Sequence, residues 1–231
     1  MKCCALLRLH FLGFNVNYLG GAINKVKIFF YRIRVMRQMF TEISKLEKKS
    51  SINFLYEKYS PNNMQLKNTS TLDLGCGKVV KNFFKADRFY GVDIQDNSSL
   101  NIKKADLVLE DIPFETNSID YITAYDFLEH IPRIIYYPER RLPFVNLMNA
   151  IYRVLKVNGI FLSYTPMYPF GEAVRDPTHV NYITQETFTL YFDNINKWAR
   201  MYGFEGSFVV LEQFIVGQHL VSLLQKNVTP D

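Results

Sequence analysis

Residues 71–77 read Thr-Leu-Asp-Leu-Gly-Cys-Gly, an apolar strand that runs straight into a glycine turn. No other stretch restricts the architecture as much. A strand ending in Asp-x-Gly-x-Gly hands its backbone to a tight bend. Glycine at 75 and 77 permits the dihedrals of that bend and lets a bulky ligand come against the main chain. Twenty positions after Asp73 stands a second acid, in Phe89-Tyr90-Gly91-Val92-Asp93-Ile94. An acid at the tip of the second strand of a doubly wound sheet is placed to accept hydrogen bonds from ribose hydroxyls.

The same turn excludes two common ligands. A dinucleotide loop of the G-x-G-x-x-G kind needs glycine at position 80, where this chain has Val80. No Gly-Lys-Ser/Thr follows to make a P-loop, and Lys78 comes directly after Gly77. A nucleoside without phosphates remains.

Around this turn the chain alternates. Strands are expected at about 70–75, 89–94, 105–109, 119–124 and 160–164, with helices near 79–85, from Pro143 to the Asn158-Gly159 stop, and over 185–202. Two last strands, 208–215 and 220–224, meet around Gly217, so they are antiparallel. Alternation of this kind gives a mostly parallel sheet with helices on both faces. Further back, Val26, Phe29, Phe30, Ile33, Met36, Phe40, Ile43 and Leu46 recur at steps of three and four. They predict an amphipathic helix over about 22–48. The division expected is a basic helical arm over 1–60 and one α/β domain over 61–231.

Charge separates the same two parts. Residues 1–50 hold ten Lys/Arg against two Glu, a net of +8; the whole chain is +5, which leaves 51–231 at −3. Cys3, Cys4 and Cys76 offer neither a disulfide framework nor a spaced zinc set, so no metal is expected on this ground and a cytoplasmic setting is the reading. The uncharged run Leu9–Asn24 is interrupted by glycines and falls short of the roughly 20 apolar residues of a membrane span. Export is not expected, because no small-x-small site closes that run.

Five segments resemble the class I S-adenosylmethionine-dependent methyltransferases. They are Leu72-Asp73-Leu74-Gly75-Cys76-Gly77, Gly91-Val92-Asp93-Ile94, Ala105-Asp106-Leu107, Asp111-Ile112-Pro113-Phe114 and Leu128-Glu129-His130-Ile131-Pro132. Order and spacing match from about residue 70 to 166, where Ile151-Tyr152-Arg153-Val154-Leu155-Lys156 is similar to a later helix of the family. The chain has Val79 where the family often carries a third glycine. The resemblance implies a Rossmann-like doubly wound seven-stranded sheet, order 3-2-1-4-5-7-6 with strand 7 antiparallel, plus the N-terminal amphipathic helix. It implies S-adenosylmethionine as cofactor. Gly75, Cys76 and Gly77 would face its methionine part, with Asp73 orienting the turn. Asp93, with Ile94 beside it, would take the ribose. Asp106 would meet the adenine amino group, the Leu107 backbone the ring, and Tyr125 would wall the methionine side. Against these roles, an acid at a strand end is often only a turn residue; for Asp106 the two readings weigh equally.

Candidates for acceptor chemistry come from four histidines, His10, His130, His179 and His219. His130 lies in Leu-Glu-His-Ile-Pro, beside the cofactor floor, and either acts on the acceptor or fixes the loop. His179 lies in Asp176-Pro177-Thr178-His179-Val180-Asn181-Tyr182, where the family places acceptor segments. It is assigned to the acceptor site, with Asp176 orienting it. A set of Glu172, Asp176 and His179 around a cation is a minority alternative without an established spacing. The Asp-Pro-Thr-His-Val loop also resembles, more loosely, methyltransferases of bacterial polysaccharide and glycolipid assembly. The expected activity is methyl transfer to a small-molecule or saccharide-type acceptor, at oxygen. A catalytically silent, cofactor-binding partner subunit is the alternative. A dehydrogenase-like binder is disfavoured by Val80 and the final hairpin. The basic helix either covers the domain with its charges in water or makes peripheral contact with an anionic membrane. Nucleic acid is not expected, since 51–231 is net acidic.

Overall fold

The computed structural model describes residues 16–95 and 101–227. Cys3, Cys4 and His10 lie outside the described residues. The chain forms two compact units, Met1–Lys45 and Leu46–Asp231. Residues 46–60, read from sequence as part of the arm, fold with the sheet instead, because Lys48–Lys49 pairs with a strand and Leu55 is fully buried in the core.

The first unit contributes one helix, α1 (Val16–Ser44), which begins earlier and stops sooner than the expected 22–48. Its stripe residues Val26, Phe29, Phe30, Ile33 and Met36 are exposed, as are Lys25, Lys27, Arg32 and Arg34. Among the described residues no helix is long and apolar enough to cross a membrane.

The second unit is built on one sheet of eight strands. They are β1 (Lys48–Lys49), β2 (Ser70–Leu74), β3 (Arg88–Asp93), β4 (Ile102–Lys104), β5 (Ile119–Tyr125), β6 (Leu155–Pro166), β7 (Phe208–Val216) and β8 (His219–Lys226). The order is β1-β7-β8-β6-β5-β2-β3-β4. Counted from β2, this is 3-2-1-4-5-7-6 with its seventh strand, β8, antiparallel to both neighbours. The eighth strand is the two-residue β1, which adds in parallel to the open edge of β7. Gly217, at φ +62°, turns β7 into β8.

Helical cover is thinner than expected. No helix forms over 79–85, and the strand expected at 105–109 lies at 102–104 with a turn after it. In place of the first helix, the 75–87 loop lays Phe84 on Tyr121 of β5, rings stacked at 4.5 Å and both fully buried. Burying such a ring contributes about 2–3 kcal/mol, so packing of a loop replaces packing of a helix. The short α2 (Asn53–Tyr59) adds Leu55 to the same cluster.

The long helix of this unit, α3 (Pro143–Val154), starts with proline where a missing N–H costs nothing. It buries Phe144, Leu147, Met148, Ile151 and Val154. Leu155 is already extended, so Asn158-Gly159 is not the helix stop. It sits inside β6 as a bulge, where the register against β5 shifts between Ile119 and Tyr121. The expected 185–202 helix is broken into a π-turn, Thr187–Phe192, and a 3-10 turn, Trp198–Tyr202. Between them Asp193 accepts from the N–H groups of Asn196 and Lys197, and Lys197 takes φ +55°.

Candidate functional site

Two groups of residues meet at the carboxyl ends of the parallel strands, where open α/β sheets take their ligands. The first is the turn after β2. Gly75 and Gly77 take φ +67° and +60°. A Cβ on Gly75 would lie 2.3 Å from the Phe127 ring, so that glycine is required by packing. A Cβ on Gly77 would meet nothing within 4 Å. Its main chain therefore faces open space, as a turn approached by a bulky ligand must. Gly91 is glycine for a third reason: Cys76 Sγ and Val80 pack over it, and a Cβ there would come within 2.4 Å of the sulfur. Burial, followed by the Asp73 and Asp93 charges, pushes the Cys76 thiol up to about 11. It is an inert packing group.

Both acids of the turn are engaged. Asp73 is buried on β2 and accepts from Thr123 Oγ1 at 2.7 Å and from the Lys81 N–H at 2.9 Å. Burial nonetheless raises its carboxyl to about 6. Asp93 accepts from the N–H of Gly77 at 2.8 Å on one oxygen and from that of Gln95 at 3.0 Å on the other. It ties the glycine turn to the tip of β3, and each oxygen keeps a second lone pair for a hydroxyl. Ile94 beside it is exposed. Ala105 donates its N–H to the Asp93 carbonyl at 2.9 Å, which brings the turn after β4 next to this acid. Asp106 caps that turn, accepting from the Val108 N–H at 3.0 Å, and the Leu107 side chain is buried. Tyr125 ends β5. Its ring lies 4.4 Å from Lys81 Nζ, and burial raises its hydroxyl well above the ordinary value.

The second group follows β5. Phe127, which packs on Gly75, leads into the 3-10 turn Leu128–His130. That turn is stapled to the 176–182 segment. The N–H groups of Val180 and Asn181 both donate to the Glu129 carbonyl at 2.9 Å, and buried Asn181 donates to the Leu128 carbonyl at 3.0 Å. Arg133 Nε holds the Asn181 side chain at 2.7 Å and also donates to the Tyr182 carbonyl. The result places His130 and His179 edge to face, ring centres 4.8 Å apart.

Between them lies Glu129, 1% exposed, with neither carboxylate oxygen hydrogen-bonded among the described residues. Burial first, then the Asp126 and Asp176 charges, raises its carboxyl to about 7. His179 Nε2 is 4.0 Å from both Glu129 and Asp176, and His179 Nδ1 is buried without a partner. Asp176 therefore makes no hydrogen bond to His179. It accepts instead from the hydroxyl and N–H of Thr178, at 2.7 and 2.8 Å. That hydroxyl oxygen, its proton given to Asp176, accepts from His130 Nδ1 at 3.1 Å. In the neutral ring the lone pair is then on Nε2.

Reasoning from the sequence quoted Glu129 inside a motif but gave it no role. Nothing in the sequence signals that its carboxylate is buried. It named His219 among the histidines but gave it no role; His219 faces Asp126 at 2.8 Å and Glu172 at 3.3 Å and stacks on Tyr164. Glu172, once grouped with Asp176 and His179, belongs there. A cavity of about 450 Å³ opens beside Arg133 and is lined by Arg140, Phe144, Glu186, Tyr191 and Tyr202.

Residues 72–163 match the family model described as a methyltransferase domain. Over these residues the chain carries a methyltransferase domain. The open backbone at Gly77 and the lone pairs of Asp93 fit S-adenosylmethionine, the cofactor that the resemblance implies. No curated protein sequence matches. Among solved structures, the [4+2]-cyclase SpnF is similar at 14% identity over 77% of this chain and 80% of its own, TM-score 0.51, which shows the fold. An S-adenosylmethionine-dependent methyltransferase from Archaeoglobus fulgidus has 15% identity over 84% and 99%, TM-score 0.46. A putative type 11 methyltransferase from Sulfolobus solfataricus has 17% over 76% and 94%, TM-score 0.43.

Proposed function

We propose that this methyltransferase acts on a hydroxyl of a small-molecule or saccharide-type acceptor seated at the turn after β5. The observation that carries this reading is the buried, unpartnered Glu129 carboxylate between His130 and His179, two residues beyond the Phe127 ring that packs on the glycine turn. Asp73, Gly75, Gly77 and Asp93 would hold S-adenosylmethionine, with Cys76, Ile94, Asp106, Leu107 and Tyr125 around it. The cofactor supplies an electrophilic methyl on a sulfonium. The chain's own work is to align the acceptor, which provides roughly 7–11 kcal/mol in well-oriented reactions. Drawing off the hydroxyl proton adds about 10²–10⁴-fold. His179 and His130 face the acceptor for that step, and Asp176 positions His130 through Thr178. A saccharide is favoured by the exposed Tyr168 and Tyr182 rings, 5.7 Å apart beside this segment, and by the aromatic and guanidinium walls of the neighbouring cavity.

His179→Ala should reduce turnover to S-adenosylhomocysteine on hydroxyl acceptors while sparing cofactor affinity. Lost cofactor affinity with intact turnover would move the segment into the cofactor pocket. Cofactor binding without turnover on any hydroxyl acceptor would favour the silent partner subunit.

We also infer peripheral contact of α1 with an anionic membrane. Exposed Phe29, Phe30 and Met36 alternate with Lys25, Lys27, Arg32 and Arg34, and no acid falls between residues 22 and 41. Each basic side chain near such a surface contributes about 1 kcal/mol. Flotation of the full chain with anionic but not neutral vesicles supports this; equal behaviour with both removes it.

A further inference from the structure

We infer that Glu129, His130 and His179 form a binding site for one first-row divalent transition-metal ion. The three side chains come from two segments, 128–130 and 176–182, that main-chain hydrogen bonds lock together. One donor atom from each lies within 4.8 Å of the other two. Two imidazoles and one carboxylate, with further positions open, is the donor set of many zinc and iron sites. A tetrahedral ion needs donors about 3.4 Å apart at bond lengths near 2.1 Å. Contraction by roughly 1.4 Å is within reach of side-chain rotation.

Two independent observations point to a ligand here. Glu129 is 1% exposed and neither of its oxygens is satisfied. A buried charge without partners is costly unless it is paired or coordinates a metal. Second, the histidines are presented as ligands are. The Asp176–Thr178 pair fixes the His130 tautomer from outside, the outer-shell arrangement that orients metal-bound imidazoles. His179 presents Nε2 to Glu129 at 4.0 Å, and its Nδ1 is buried without a hydrogen-bond partner among the described residues. Magnesium or calcium fits poorly, since both demand mainly oxygen donors.

Ion binding does not depend on the oxygen-acceptor reading. Its use does: with both imidazoles holding the ion instead of taking the proton, a Lewis acid on the acceptor hydroxyl would favour the alkoxide, and the proton would pass to solvent. The oxygen then forms its bond to carbon as the sulfonium releases the methyl and becomes a thioether.

The test uses the untagged full chain, stripped with chelator and titrated with CoCl₂, read by visible absorption and calorimetry. One equivalent should bind, with the intense bands of four- or five-coordinate cobalt, and ZnCl₂ should displace it. Glu129→Gln and His179→Ala should each weaken binding about tenfold or more while S-adenosylhomocysteine binding shows that the variants are folded. No saturable cobalt binding, or binding untouched by both variants, overturns the assignment. Loss on His219→Ala alone would place the ion at Asp126, His219 and Glu172 and equally overturn it. Turnover enters none of these readouts, so failure of the acceptor reading would be seen separately.

Discussion

Asp73 and Glu129 are both carboxylates buried to 1% exposure at the same end of one sheet, yet their surroundings are opposite. Asp73 receives two hydrogen bonds, and its neighbour Asp93 receives two more. Glu129 receives none among the described residues. Burial raises the acids of both regions, Asp73 to about 6 and Glu129 to about 7. The glycine turn is thus self-satisfied: its acids hold the backbone in shape and leave only spare lone pairs for a ligand. The turn after β5 is held by its main chain and by Asn181, and its acidic side chain is left over. A carboxylate that does not hold the fold together is available for chemistry.

The contrast breaks most easily at the glycines. Gly75→Ala should destabilise the protein by roughly 3 kcal/mol or more, combining a left-handed residue with a Cβ forced into Phe127. Denaturant midpoints unchanged within error would mean the turn is not packed as described.

Asp73 sharpens it through pH. Its carboxyl ionises near 6 in the fold against 3.8 otherwise, so the folded chain holds that proton more tightly. The penalty is absent below about pH 4, grows between the two values and is complete above about pH 6, reaching about 3 kcal/mol. The wild type should therefore lose about that much stability relative to Asp73→Asn between pH 4 and pH 7. Parallel stability curves for the two proteins would show that burial does not govern this group.

Asp93→Ala frees the Gly77 and Gln95 N–H groups and removes a charged acceptor, worth about 1.5–3 kcal/mol. Cofactor affinity should fall by more than about 1 kcal/mol by calorimetry; unchanged affinity would contradict the ribose assignment. Glu129→Gln is the mirror case. It breaks no hydrogen bond made among the described residues, so stability should stay within about 1 kcal/mol of wild type or rise. A loss of several kcal/mol would mean that Glu129 is structural after all.

The two regions were not equally legible in the sequence. The glycine turn is local: Asp73, Gly75, Gly77 and Asp93 sit in two short segments whose spacing follows from strand and turn geometry. The sheet order came with the family resemblance that these segments carry, short only of β1, because two lysines carry no strand signal. The missing first helix was hidden because Val79, Val80, Phe83 and Phe84 suit a helix as well as an aromatic-packed loop. The second region is tertiary. His130 and His179 could be named as candidates, but Glu129 acquires its character from hydrogen bonds to Val180 and Asn181, some fifty residues away. His219 meets Asp126 across a still longer gap, 93 residues.

The account rests on the open backbone face at Gly77, and calorimetric titration of S-adenosylhomocysteine into wild type and Gly77→Ala tests it most directly. One site per wild-type chain is expected. In the variant, affinity should drop about tenfold or more while the fold loses only about 1–2 kcal/mol, because the added methyl meets nothing in the protein and only the ligand's approach. Equal affinities in the two proteins would place the cofactor elsewhere.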